Sequence, residues 1–74
     1  MNNECKMIHV SSSNVEAVGY DEAQSTLYIK YLNSSLYAYY DVPKHLFEDL
    51  LRSSSIGSFL HIYVKNQYAY VRIG

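Results

Sequence analysis

Apolar and polar positions change period once along this chain, near residue 42. Before that point the pattern repeats every second residue. Val15–Tyr20 is rich in β-formers, and its Gly19 predicts a bulge or a close backbone approach. Thr26–Leu32 alternates cleanly, with Leu27, Ile29 and Tyr31 pointing one way and Tyr28, Lys30 and Leu32 the other. Leu36–Val42 is again extended and rich in tyrosine. Polar turns at Asp21–Ser25 and Asn33-Ser34-Ser35 separate these runs, so three strands in an antiparallel meander are predicted. Residues 1–10 carry no such pattern and read as a loose N-terminal arm, with a single domain over residues 11–74.

After Val42-Pro43 the period lengthens. Val42 before a proline is held extended, and Pro43 suits the first position of a helix. Pro43, Leu46, Phe47, Leu50 and Leu51 draw one apolar stripe, while Lys44, His45, Glu48, Asp49 and Arg52 take the other side. Ser53-Ser54-Ser55 closes that helix, and Ser55 is placed to N-cap a second one carrying Ile56, Phe59, Leu60, Tyr63 and Val64. Tyr68–Ile73 alternates once more, as a short strand or an extended tail. The fold class expected is α+β, with a three-stranded meander followed by two helices that cover one sheet face. The other face meets solvent or a partner.

Composition narrows the function. A domain of 74 residues buries roughly 60 % of the surface its unfolded chain exposes, so few side chains can be spared from the core. Six basic and seven acidic residues leave no surplus of cations for strong non-specific binding to nucleic acid, although a local patch can outvote the net charge. One cysteine, Cys5, permits no intrachain disulfide, and the opening residues lack a signal peptide's basic start and apolar run. With no apolar stretch of spanning length, the expected setting is the cytoplasm and no membrane. Tyrosine is the outlier at nine residues, against two Phe and no Trp, enough to build core and still leave a few rings exposed.

The tyrosines stand in an ordered set of short motifs. Ser12-Ser13-Asn14-Val15, Val18-Gly19-Tyr20-Asp21, Thr26-Leu27-x-Ile29-x-Tyr31, Tyr37-x-Tyr39-x-x-Val42-Pro43, Leu50, Ser55-x-Gly57, Tyr68 and Arg72 together resemble the KTSC domain. That family is named for its occurrence at the C-terminus of some lysyl-tRNA synthetases, and it also occurs as short stand-alone bacterial proteins. The resemblance spans roughly residues 11–73. It implies no particular activity, and its synthetase context suggests RNA binding. The chain departs from the pattern in having Asn33-Ser34-Ser35 where a glycine commonly sits, and in Tyr40 directly after Tyr-x-Tyr. The resemblance also bears on register. Periodicity alone favours Leu36, Ala38, Tyr40 and Val42 as the buried face of the third strand, whereas the signature suggests Tyr37 and Tyr39 as the structural pair. In the second arrangement the open sheet face carries Tyr28, Lys30 and Tyr40.

Catalytic and metal chemistry find little support. His9, His45, His61 and Cys5 match no zinc-ligand spacing. No Gly-x-Ser-x-Gly elbow presents a nucleophile, and the carboxylates fall in a turn or on a solvated helix face. No enzyme activity, metal or small-molecule cofactor is expected. Two binding surfaces remain. One is the open-face patch of Tyr28, Lys30 and Tyr40. The other is the start of the second helix, where Ser55 and Gly57 expose backbone N–H groups and Lys65 or Arg72 can assist in receiving an anion. The partners these fit are RNA, through stacking and a few cations, or a protein, a second copy included, through the same aromatic face.

Overall fold

The computed structural model describes residues 6–74. Five antiparallel strands form one sheet in chain order: β1 (Met7–His9), β2 (Val15–Asp21), β3 (Thr26–Tyr31), β4 (Leu36–Tyr39) and β5 (Tyr70–Arg72). Between β4 and β5 come α1 (Lys44–Arg52) and α2 (Ile56–Tyr63). The sheet is therefore not the three-stranded meander that periodicity predicts. Two three-residue edge strands extend it: β5, which falls within the alternating Tyr68–Ile73 read as a short strand or an extended tail, and β1, which that reading did not contain. β1 lies within the segment read as a loose arm and pairs Ile8 with Val18, and β5 pairs Tyr70 with Tyr39. Residues 1–5, including Cys5, lie outside the described residues.

Turn chemistry sets the central register. Asp21 Oδ1 accepts the N–H groups of Ala23 and Gln24 at 3.1 and 3.4 Å, and Asn33 Oδ1 accepts that of Ser35 at 3.0 Å. Between β3 and β4, Leu27 stands opposite Tyr39 and Ile29 opposite Tyr37. Tyr37 and Tyr39 thus share the helix-side face with Leu27 and Ile29, and Ala38 shares the open face with Tyr28. The register irregularity in β2 falls between Val15 and Ala17, not at Gly19, which lies in the ladder opposite Tyr28. That extra residue turns Val15 onto the same face as Val18, and both are buried.

The core lies between this face and the helices: Val15, Val18, Leu27, Ile29, Tyr39 and Val42 meet Leu50, Ile56, Leu60 and Val64. The amphipathic stripes hold with two exceptions, Leu51 and Tyr63, which are exposed. Pro43 is the N-cap of α1 (φ −70°, ψ 149°) and not its first helical residue, and its carbonyl accepts the Leu46 N–H at 3.0 Å. Tyr20 fastens that junction by stacking on Phe47 at 5.3 Å and donating its hydroxyl to the Val42 carbonyl. At α2, Ser55 caps as expected, its hydroxyl accepting the Ser58 N–H at 3.3 Å.

Candidate functional site

The two helices leave part of the sheet uncovered: Tyr39 on β4 is buried, whereas Tyr70 beside it on β5 is 58 % exposed. Tyrosines fill the flank left uncovered at β3–β5. Tyr31 and Tyr37 meet edge-on, with centroids 5.5 Å apart and planes at 88°. Tyr70 lies against both Tyr37 and Tyr39, at 5.8 and 5.4 Å. These four rings line a cleft of about 530 Å³ together with Asn33, Ser35, His61, Lys65 and Asn66.

The end of α2 supplies the opposite wall. Val64 is fully buried and anchors the last turn, while Lys65 N–H closes it on the Leu60 carbonyl at 2.8 Å. Asn66, with φ 68°, then turns the chain away toward β5. His61 and Lys65, four residues apart on one side of that turn, both border the cleft. The Lys65 ammonium stands 5.7 Å from the Tyr31 ring centre, within cation–π range.

Depth varies among the tyrosines. Tyr39 forms the floor and Tyr70, more than half exposed, the rim. Burial pushes the Tyr39 hydroxyl well above the ordinary phenol range, and the hydroxyls of Tyr31, Tyr70 and Tyr37 push it the same way. It therefore stays neutral at ordinary pH.

The seven residues proposed from sequence fall in three places. Tyr28 and Lys30 lie on the open sheet face, and Tyr40 follows β4 with its ring exposed and its N–H bonded to Ala69. Ser55, Gly57 and Lys65 come together in a second groove of about 610 Å³, whose other wall is Ser11-Ser12-Ser13-Asn14. Its serines act mainly on the backbone: Ser12 Oγ accepts from Asn14 and Val15 as Ser55 does from Ser58. Arg72 stands apart on β5, opposite Tyr37 and bonded through Nε to the Gly74 carbonyl. The tyrosine cleft itself was missed as a site. Parity placed Tyr31 with the core face, but the position of Tyr70 depends on a strand of three residues.

Among the described residues there is no group of three or more His, Cys, Asp or Glu placed to hold a metal ion. Nor is any helix there long and apolar enough to cross a membrane.

A short two-layer α+β domain with an aromatic cleft at its uncovered flank is the class these features define. The chain belongs to the KTSC domain family, whose profile matches residues 11–68. A protein of Tsukamurella paurometabola is 39 % identical over 64 residues, covering 86 % of this chain and 96 % of that protein. An uncharacterised protein of Stutzerimonas stutzeri is 32 % identical over 69 residues, covering 92 % and 97 %. The crystal structure of a KTSC domain protein from Yersinia pestis superposes with a TM-score of 0.92 at 27 % identity, covering 96 % of this chain and all of that one.

Proposed function

We propose that this domain is a non-catalytic binding module that takes single-stranded RNA at the tyrosine cleft, a base against the rings and a phosphate beside Lys65. The observation that carries this reading is the cleft itself: four tyrosines and one ammonium group around about 530 Å³. Such a volume falls within the range that holds a small ligand. Base stacking on aromatic rings tolerates any sequence, and a cation nearby supplies the charge that a backbone phosphate needs. The cation supply is small. Lys44 and Arg52 are paired with Glu22 and Asp49 at 3.2 and 2.7 Å, so binding is weak and falls as salt rises.

Titration of a short fluorescent single-stranded RNA at low salt tests this. Tyr70→Ala should weaken binding by about 1–3 kcal/mol, the value of one stacked base. Lys65→Gln should reduce the salt slope by about 0.7, the equivalent of one phosphate contact on a single strand. Tyr28→Ala and Tyr40→Ala, on or near the opposite face, should leave affinity unchanged. Loss confined to those two variants would move the site to the open face, and absence of binding at low salt would remove RNA as the partner.

A further inference from the structure

The edge strand β5 presents an unpaired ladder whose chemistry matches itself. On either side of the strand, Ala69 O accepts from Tyr40 N–H and Ile73 N–H donates to Leu36 O, while Gly74, beyond the strand, bonds Leu36 both ways. By the alternation of an antiparallel ladder, the N–H and C=O of Tyr70 and Arg72 face away from β4. All residues from Ala69 to Gly74 are exposed. Edge strands that remain single are usually blunted by proline, a bulge, charged side chains or shortness. The stretch from Tyr68 to Gly74 has no proline and β5 no bulge; the strand is three residues long, and its one charge, Arg72, is the group that the pairing below engages.

We propose that β5 pairs antiparallel with β5 of a second copy, on a two-fold axis through Val71, to make a homodimer with a continuous ten-stranded sheet. This register uses every outward group: Tyr70 of each chain exchanges both backbone bonds with Arg72 of the other, four bonds in all. Side chains then meet by type. On the open face Val71 lies against Val71 of the second copy, and Ile73 against its Ala69. On the helix-side face Arg72 lies across from the Tyr70 ring of the second copy, within reach of its π-face. The guanidinium has donors to spare beyond the Nε bond to Gly74. An isologous contact requires such self-complementarity, and no other register centred within β5 opposes tyrosine with arginine on both sides of the axis. The opposite edge, β1, is flanked by Lys6 and lacks this match. The inference stands independently of the RNA reading, although the dimer brings a second cation to each cleft rim.

Sedimentation of the full chain without RNA is the test. The weight-average mass should rise with concentration from 8.5 kDa towards twice that value. Val71→Lys leaves the β4 ladder intact and sets two ammonium groups against each other across the axis. Arg72→Pro deletes one outward donor and the guanidinium. Both variants should keep the circular dichroism of the native sheet and sediment as monomers, whereas Arg72→Lys should still dimerise. A wild-type mass fixed at the monomer value up to about 1 mM would overturn the proposal. So would dimers that persist unchanged in both Val71→Lys and Arg72→Pro.

Discussion

Among the described residues, four that are not glycine hold positive φ: Ser25, Ser34, Asp41 and Asn66. Asp and Asn enter this region readily because their short side chains can bond the local backbone, but serine has little to offset the contact between its Cβ and the carbonyl. Ser34 is the cleaner case, being exposed, at φ 75°, in the turn between β3 and β4. The strain costs about 1–2 kcal/mol, and glycine's greater freedom in the unfolded chain returns about 0.5–1 kcal/mol of the relief. Ser34→Gly should therefore stabilise the domain by up to about 1 kcal/mol, read as a rise of a few degrees in the thermal midpoint. An unchanged or lowered midpoint would show that this turn is not strained.

At the scale of elements, legibility followed length. β3, with six residues, displayed its alternation, β2, with seven, its run of β-formers, and both helices an apolar stripe. β1, with three residues, carries no more than one repeat of a two-residue period, and β5, inside the alternating Tyr68–Ile73, reads equally as a short strand or a tail. Their pairing is decided by the backbone bonds that β2 and β4 still offer, which no side-chain pattern records. The bulge at Glu16 hid from periodicity for a related reason, since it reverses parity within one strand. Helix stripes were read too broadly, because residues 100° apart straddle the boundary between core and solvent. Leu50 and Leu51 separate the two environments, the first fully buried and the second 39 % exposed. Leu50→Ala should cost about 2–5 kcal/mol through lost transfer energy and the cavity left behind. Leu51→Ala should stay within about 0.5 kcal/mol. Equal urea midpoints for the two variants would contradict the packing of α1 on the sheet.

Across the whole molecule, the same tyrosines close the core at one end and open a cleft at the other, and this dual use obscured the site. Tyr37 and Tyr39 were legible as a structural pair, yet nothing in the sequence shows that the helices stop short of them or that Tyr70 folds back beside them. Lys65 was singled out from the sequence as a candidate cation, but its placement over Tyr31 depends on where α2 terminates. Tyr39 links this corner to global stability, because it is 3 % exposed and its hydroxyl is held neutral by burial and by Tyr31. The native pKa is raised, so the hydroxyl is protonated in both states below pH about 10, and its contribution to stability is fully present there. Above that, the unfolded chain releases the proton and the native protein keeps it. Stability should then fall with pH, by up to about 1.4 kcal/mol per unit for this one group. Tyr39→Phe keeps the ring and removes the proton. Urea unfolding between about pH 9 and about pH 11.5 should show wild type losing stability more steeply than the variant, by the equivalent of one proton. Parallel slopes would mean that the Tyr39 hydroxyl titrates alike in the folded and unfolded chain, and that the floor of the cleft is open to water.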